Sequence, residues 1–406
     1  MMTNIFNKKN LSEVILLLPF AFSFALMIWF EGASKVLVIT TVISLLSFGI
    51  SFRKRLKSTL IDNLRQPFHI LIWVFTLFIF VQSFLHGVSS REIRTLLCLS
   101  VIALYFPFRA IKPIYYQIII VFGCITIFAN SVYFCLIVGT SRWAGVINPI
   151  PYASIAGLLA LLSTHAALST KNTKTKLLFG GFSILPVISL ALTESRGVWL
   201  AFACALLVLF LSKFRFTFKK FILLLLLSSV ASMLSGSFIK QRIEQTRYEF
   251  EQIQEGNMNT SVGLRLQMWQ AAVKLAEGNW LLGLGNEHFE KLELLYKQRK
   301  ITKALYDYHP PHYHNQFIDS VVKSGLIGLA FLLLLLILPL YLVRHTIKNT
   351  KNIVTAVVAL YVVMGLTDAP FYNGQTFILY VLTMLVLLNS ASQPSDQLTD
   401  GSPDVA

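Results

Sequence analysis

The sequence predicts an all-α polytopic membrane protein with about twelve transmembrane helices and one large, mainly helical periplasmic loop domain. The first observation is composition: 55% of the 406 residues are hydrophobic and 13% are charged, whereas about a quarter of the residues in a soluble domain are charged. The second is length, because the apolar runs approach the roughly 20 residues that a helix needs to cross a bilayer. The third is that basic residues cluster between these runs.

The apolar runs define the transmembrane helices in order, with boundaries accurate to a few residues. The first run lacks the small-residue cleavage site of a signal peptide and further spans follow it, so we interpret it as an uncleaved helix. The predicted helices are 13–30, 34–51, 68–86, 92–108, 114–138, 149–168, 177–193, 197–213, 221–237, 317–343, 353–369 and 375–389.

The net charge of +16 would favour a nucleic-acid partner if the protein were soluble. Here the position of the charge indicates a membrane instead. With the N-terminus in the cytoplasm, all the basic connecting segments lie on the cytoplasmic side, as the positive-inside rule requires. An even number of helices returns the C-terminus to the same side. We therefore expect no nucleic-acid partner. The basic segments are 52–67, 109–113, 169–176, 213–220 and 344–352.

Four regions follow from this topology: transmembrane helices one to nine in 1–237, a periplasmic loop domain in 238–316, helices ten to twelve in 317–389, and a polar tail in 390–406 whose composition predicts disorder. The loop domain holds four of the eight histidines. Its pattern predicts three helices, over 238–256, 264–278 and 287–300, with Thr260 or Ser261 capping the second.

The hairpin TESRG, residues 193–197, carries Glu194 and Arg196 where the seventh predicted helix meets the exterior. One interpretation is structural: the charges cap a helix and extend towards the membrane surface. The other is ligand binding, because the planar guanidinium of arginine forms paired, charge-assisted hydrogen bonds with phosphate. The sequence leaves both open.

The segment GLRLQMW, residues 263–269, places Arg265 and Trp269 one helical turn apart on one face. Arg265 is predicted in the first turn of its helix, where free N–H groups and the helix dipole attract an anion. The alternative is an exposed arginine packed on a tryptophan. A nearby glycine segment, GLGNEHF at 283–289, follows no strand and lacks a full dinucleotide fingerprint, so we interpret it as a turn between helices.

The stretch HPPHYHNQF, residues 309–317, gathers His309, His312 and His314. Metal ligation is one interpretation, although the close spacing, the stiff prolines and the absence of a nearby cysteine argue against it. Plain surface polarity is a second. The third is a general base, since a histidine can accept a proton from a hydroxyl at neutral pH. His314 is best placed for this role, because it precedes the tenth predicted helix beside Asn315, which can orient a substrate.

These motifs, in this order on this topology, are similar to those of a known family. The chain resembles the O-antigen ligases of Gram-negative bacteria, within the wider ligase and polymerase superfamily of membrane glycosyltransferases with a GT-C-like architecture. The likeness in topology covers nearly the whole chain. The likeness in sequence rests on SRG at 195–197, GLRLQMW at 263–269, GLG at 283–285 and HNQF at 314–317.

The resemblance implies a reaction and a location. Such ligases transfer a polysaccharide from undecaprenyl pyrophosphate to a sugar hydroxyl of the lipid A-core, at the periplasmic face of the inner membrane, in lipopolysaccharide biosynthesis. By the same resemblance Arg196 and Arg265 hold the pyrophosphate and His314 is the essential histidine. No cofactor or metal ion is expected, and inversion at the anomeric centre is our hypothesis. The expected substrate contacts are Glu194, Trp269, His312 and Asn315.

Three other functions remain as alternatives. An O-antigen polymerase uses the same donor with a growing chain as acceptor. Protein O-oligosaccharyltransferases are further relatives, but they usually carry a larger C-terminal periplasmic extension than this chain has. A transporter or flippase for lipid-linked sugars would place charges at mid-membrane, whereas the candidate charges here lie towards helix ends: Arg94, Asp319, Lys323 and Asp368.

Overall fold

The computed structural model describes residues 8–140, 145–213, 244 and 247–391. This part of the chain is built from helices and contains no strand, which confirms the predicted all-α class. The α-helices are α1 (Lys8–Leu16), α2 (Leu18–Ala21), α3 (Ala33–Ser51), α4 (Leu56–Leu64), α5 (Pro67–Leu85), α6 (Ser90–Tyr105), α7 (Pro113–Val132), α8 (Pro149–Ser169), α9 (Thr173–Leu192), α10 (Arg196–Lys213), α11 (Ser261–Ala276), α12 (His288–Lys297), α13 (Lys303–Tyr308), α14 (Gln316–Leu342), α15 (Lys348–Thr367) and α16 (Gly374–Ala391).

Eleven of the twelve predicted spans coincide with helical segments of the described chain, and the twelfth, 221–237, lies outside it. Eight helices in the described part are long and apolar enough to cross a membrane, and two shorter apolar segments, Leu18–Trp29 and Arg196–Leu211, accompany them. The protein is therefore a multi-pass α-helical membrane protein. The eight are α3, α5, α7 with its extension to Ile137, α8, α9, α14, α15 and α16.

The first predicted span is not one continuous helix. The chain breaks after Leu16, resumes at Leu18, and passes through a π-helical segment, Phe22–Leu26, into a short 3-10 turn. Pro19 lies at the break, because proline has no backbone N–H to donate and its ring clashes with a carbonyl of the preceding turn. The predicted helix 92–108 also ends early, at Tyr105, because Phe106 is extended before Pro107.

Two helices occupy the centre of the bundle. About two-thirds or more of α8 and α16 is buried within the protein, against less than a quarter of α9. Their inward faces join a large apolar cluster that includes Leu158, Tyr361 and Leu382. Helix α10 packs along α15, and this pair carries the end of the bundle on which the candidate site lies.

The loop domain has its own small core and rests on the start of α14. Met268, Leu292, Leu305, Tyr313 and Val322 form a second buried cluster, with Val322 contributed by α14. The second and third predicted loop helices are present as α11 and α12, and residues 247–254 within the first are helical. The short helix α13 was not expected from the sequence. The predicted tenth span is also broken, because Gly325 has a backbone φ of 66° inside α14.

Candidate functional site

A cavity of about 720 Å³ lies between the bundle and the loop domain. Three parts of the chain enclose it: the start of α10, the start of α11, and the junctions around α14 and α15. Its apolar walls come mainly from leucine, isoleucine and valine. Its polar lining consists of Glu194, Ser195, Arg196, Glu249, Ser261, Arg265, Tyr308, His314, Thr367 and Asp368.

Two helix N-termini face this cavity. Helix α10 begins at Arg196, and helix α11 begins at Ser261, and both first residues line the cavity wall. The N-terminal end of a helix carries partial positive charge, so each end favours a negatively charged group. In α11 the N–H groups of Val262 and Gly263 are already bonded, to Glu249 and Thr260. With the two arginines, these ends give the cavity two independent sources of attraction for an anion.

Arg265 lies further along its helix than the sequence suggested. Thr260 caps α11, since its Oγ1 accepts a hydrogen bond from the N–H of Gly263 at 3.0 Å. The helix therefore starts at Ser261 and Arg265 is its fifth residue, so its predicted place in the first turn is wrong. The half-buried guanidinium of Arg265 forms no hydrogen bond or ion pair within the described part of the chain, and it is available to a ligand.

Arg196 is held at the mouth of the cavity by close helix packing. The hairpin turns through Glu194, whose φ of 52° is left-handed. Gly197 lies against Thr367 of α15 so closely that a Cβ at this position would overlap the threonine side chain. Trp199 then donates its indole N–H to the carbonyl of Leu190 at 2.9 Å. The SRG motif thus fixes where Arg196 enters the cavity.

His314 also lines the cavity and has an unusual backbone conformation. Its φ is 47°, in the left-handed region that residues other than glycine seldom adopt. Its Nδ1 is 3.2 Å from Oδ1 of Asp368 and its Nε2 is 3.2 Å from the hydroxyl of Tyr308. Because a carboxylate can only accept, Nδ1–H donates to Asp368. Nε2 is left as the acceptor that faces the cavity.

Two pKa shifts support this assignment. Burial raises the pKa of Asp368, but the hydrogen bond from His314 and the electrostatic influence of the two neighbouring imidazoles lower it more, so its pKa lies below the ordinary value. Asp368 is therefore ionised at neutral pH. Burial lowers the pKa of His312, and this outweighs the nearby carboxylates of Asp368 and Asp319. His312 is therefore neutral at the same pH.

The segment before His314 is fixed by contacts from three directions. The backbone N–H of Tyr313 donates to Asp319 at 3.2 Å, and its carbonyl accepts from the indole N–H of Trp269 at 2.9 Å. Lys323 donates to the carbonyl of Pro311 at 2.6 Å. The buried hydroxyl of Tyr313 lies 3.2 Å from Nδ1 of His288. These bonds hold the backbone rigidly just ahead of the strained residue.

Three of the predicted substrate contacts, Asn315, Trp269 and His312, are not among the residues that line this cavity. Asn315 caps α14, since its side-chain oxygen accepts from the N–H groups of Phe317 and Ile318. Trp269 supports the backbone at Tyr313. His312 is not part of the cavity lining, and its Nε2 lies 3.5 Å from Asp368 behind His314. Glu194, the fourth, does line the cavity.

Asp368, Tyr308 and Glu249 are site residues that the sequence did not single out as such. Asp368 follows α15 and lies 54 residues from His314 in the chain, so no local motif joins them. Its one sequence signal is a carboxylate at the end of an apolar helix. Glu249 accepts a hydrogen bond from the N–H of Val262 at 3.1 Å, at the start of α11. A carboxylate thus already occupies one anion-binding position at this helix end.

The histidine stretch also acquires a carboxylate that its own sequence lacks. His312, His314 and Asp368 place three possible ligand atoms within 4.8 Å of one another, a group that could hold a metal ion. Two histidines and one carboxylate suit several divalent metals. The metal interpretation is therefore geometrically feasible, and it needs a direct test.

The fold and the site together define a class: a multi-pass membrane protein with a cavity beside its loop domain that is lined by two arginines and a histidine. Comparison with protein families points to a specific group within that class. The family model described as "O-Antigen ligase" matches residues 181–333, which confirms the resemblance seen in the sequence motifs. This segment runs from α9 to α14 and includes Arg196, Arg265 and His314, whereas Asp368 lies beyond it.

Two curated proteins are similar to this chain. An uncharacterised protein of Haemophilus influenzae is 26% identical, in an alignment that covers 91% of this chain and 95% of that protein. The O-antigen ligase of Escherichia coli is 23% identical over 57% of this chain and 55% of its own length. These similarities support a glycosyltransferase-like membrane enzyme of the ligase or polymerase type.

Proposed function

We propose that this protein is an O-antigen ligase of the bacterial inner membrane. It transfers polysaccharide from undecaprenyl pyrophosphate to a sugar hydroxyl of the lipid A-core, with the cavity on the periplasmic face and both termini in the cytoplasm. The observation that carries the proposal is the meeting of Arg196, Arg265 and two helix N-termini with His314 in one cavity. That combination suits a pyrophosphate leaving group and a hydroxyl nucleophile.

The donor pyrophosphate binds between the two arginines and the helix ends. As the bond between the anomeric carbon and the pyrophosphate oxygen breaks, negative charge builds on that oxygen. Fixed cations directed at this charge stabilise the transition state more than the ground state. The guanidinium groups of Arg196 and Arg265 are suited to this task because they form paired hydrogen bonds with phosphate.

His314 acts on the acceptor. Its Nε2 removes the proton of the acceptor hydroxyl as that oxygen bonds to the anomeric carbon, and undecaprenyl pyrophosphate leaves. Asp368 holds the ring through Nδ1 and stabilises the imidazolium that forms, following the logic of an Asp–His pair. Tyr308, which occupies Nε2 in the free protein, gives way to the acceptor hydroxyl. Attack opposite the leaving group inverts the anomeric centre. NMR of the new linkage tests this, and retained configuration would disprove it.

A transfer assay with purified protein, lipid-linked donor and lipid A-core acceptor tests the assignment of His314. We expect His314→Asn to lower the rate by about 10²–10⁴-fold, the usual contribution of a general base. Asparagine tolerates the left-handed backbone, so the fold is preserved. His309→Asn is the matched control, because His309 lies in the same stretch with a φ of 48°. Near-normal transfer by His314→Asn would remove this residue from the mechanism.

The lipopolysaccharide of a strain that lacks this protein distinguishes a ligase from a polymerase and from a flippase. Loss of a ligase leaves polymerised chains on the lipid carrier and an unsubstituted core. Loss of a polymerase leaves core with a single repeat, and loss of a flippase traps donor on the cytoplasmic side. We expect the first pattern, and either of the others would replace our proposal.

A further inference from the structure

Three apolar side chains project from the loop domain beside α14. Trp280, Leu281 and Leu282, which we call the apolar tip, are all exposed, and Leu281 is 66% exposed. They follow α11 and precede the turn at Gly283. Such a run of large exposed apolar side chains on a water-facing domain is unfavourable unless a partner covers it.

The apolar tip is bonded to a membrane-spanning helix. The N–H of Leu326 donates to the carbonyl of Trp280 at 2.7 Å, and the N–H of Ile327 donates to that of Leu281 at 3.3 Å. In a continuous helix these two groups would bond to the carbonyls four residues earlier, at Val322 and Lys323. The break at Gly325 therefore leaves the N–H groups of Leu326 and Ile327 without helical acceptors, and the carbonyls of the apolar tip accept from them instead.

The displaced carbonyls of α14 are also satisfied. The carbonyl of Val322 accepts from the N–H of Leu284 at 2.8 Å, and that of Lys323 accepts from the side chain of Gln82. The same Gln82 amide donates to the carbonyl of Leu282 at 2.9 Å. All three carbonyls of the apolar tip thus have protein partners. Non-helical backbone can lie at membrane depth only when its polar groups are satisfied within the protein.

Two glycines permit this close approach. Gly283 and Gly325 both have positive φ, at 71° and 66°. A Cβ on Gly325 would overlap the carbonyl of Leu281, and a Cβ on Gly283 would lie 2.5 Å from the backbone of Lys323. The GLG motif at 283–285 therefore brings the backbone of the loop domain into direct contact with the backbone of α14.

The contact lies at membrane depth. Arg344, whose guanidinium stacks on Tyr341, marks the far end of α14. Helical rise places Leu326 about 27 Å above Arg344, within the roughly 30 Å of hydrocarbon in a bilayer. Leu326 and Ile327 are themselves exposed, as residues facing lipid would be. By this measure the tip, which is bonded to this pair, falls just inside the edge of a hydrocarbon layer of that thickness.

We propose that the apolar tip is inserted into the lipid bilayer and anchors the loop domain to the membrane surface. Leu281 and Leu282 enter the acyl region, and Trp280 takes the interfacial position that tryptophan prefers. The anchor fixes the height of the loop domain above the bilayer, and with it the height of Arg265 and His314. This inference concerns membrane contact and does not depend on the proposed reaction.

Fluorescence quenching in vesicles tests the insertion. The full chain, with its four native cysteines replaced by alanine, receives Leu281→Cys or Val273→Cys and a bimane label, and is reconstituted in phosphatidylcholine. Val273 is the matched control, because it is 58% exposed on α11 of the same domain. A nitroxide on the lipid acyl chain should quench the label at 281 several-fold more than at 273, while aqueous iodide should show the reverse order.

Equal quenching at both positions, or stronger iodide quenching at 281, would overturn the proposal. The parent protein without an introduced cysteine reports background labelling. If Leu281→Cys does not purify as a monodisperse protein, Trp280→Cys provides the same comparison with the same expected order.

Discussion

At the scale of single residues, the proposed chemistry depends on one orientation of His314. Asp368 bonds to Nδ1 and the hydroxyl of Tyr308 lies 3.2 Å from Nε2, so both nitrogens have a partner and the orientation of the ring is fixed. The left-handed backbone at His314 is unfavourable by itself, and it persists because Asp319 and Trp269 hold the preceding residue. The backbone strain is therefore confined to His314, whose side chain it directs towards Asp368 and Tyr308.

Arg265 provides a test of how the anion is bound. Arg265→Lys keeps the charge but loses the planar pair of donors, so we expect transfer to fall about tenfold or more, by analogy with the loss of a charge-assisted hydrogen bond. Steady-state rates of transfer measure the effect. Arg299→Lys, at an exposed position of the same domain, is the control and should be near wild type. Full activity of Arg265→Lys would indicate simple charge attraction.

His288 predicts a specific pH dependence of stability. Burial, with the charges of Lys323 and His309, lowers its pKa to about 3 from the usual 6.5. Below pH 6.5 the unfolded chain binds a proton that the folded protein does not, so stability falls as pH falls, by about 1.4 kcal/mol per unit. At pH 5.0 this amounts to about 2 kcal/mol.

Thermal unfolding at pH 7.5 and 5.0 measures this contribution. His288→Asn keeps a polar atom near Tyr313 but cannot titrate. The drop in Tm between the two pH values should therefore be smaller in the variant than in the wild type. An equal drop in both proteins would assign the pH dependence to other groups.

At the scale of elements, two helix ends position the arginines of the cavity, and the break in α14 positions the loop domain. The starts of α10 and α11 bring Arg196 and Arg265 to one cavity. The break in α14 at Gly325 lets residues 280–284 replace the missing helical bonds. The loop domain is thus seated by backbone hydrogen bonds, which leave less freedom of position than side-chain packing alone.

Gly283→Ala tests this seating. The added Cβ meets the backbone of Lys323, whereas in Gly278→Ala, with a similar φ of 80°, no atom lies within 4 Å. Both variants carry the strain of a left-handed alanine, roughly 1 kcal/mol. Only Gly283→Ala adds the clash, so its Tm should fall further and protease should cleave its loop domain faster. Equal behaviour of the two variants would show that the contact is not tight.

At the scale of the whole molecule, the cavity exists because the bundle and the loop domain meet. Arg196 and Asp368 come from the bundle side, Arg265 comes from the loop domain, and His314 comes from the junction of the two. Neither part encloses the cavity alone. Movement of the loop domain would therefore change the distances of Arg265 from both Arg196 and His314.

Removal of metal tests whether the arginines and helix ends, or a bound metal ion, supply the positive charge of the site. If the arginines and helix ends supply the positive charge, transfer in excess chelator should continue at the untreated rate. Bound metal, measured by elemental analysis of the purified protein, should be well below one ion per chain. Activity lost to chelator and restored by one particular metal would instead assign His312, His314 and Asp368 as its ligands.

Much of the fold was predictable because a bilayer imposes simple rules on sequence. A spanning segment must be apolar, near 20 residues long, and helical, since its backbone polar groups need internal partners. Prediction failed where local chemistry interrupts a span, at Pro19 and at Gly325. In the second case the signal was only a glycine, because the partner that compensates the break lies more than forty residues earlier in the chain.

The sequence by itself determined the membrane class, the number and order of most helices, and three candidate residues, Arg196, Arg265 and His314. These depend on composition and short motifs, whose effects are local and can be inferred from the sequence alone. Only the tertiary structure decided that the three share one cavity, that Asp368 is hydrogen-bonded to the histidine, and that residues 280 and 281 are bonded to the backbone of α14. Such facts depend on which distant segments pack together, because hydrogen bonds and cavities form between parts of the chain that no local pattern connects.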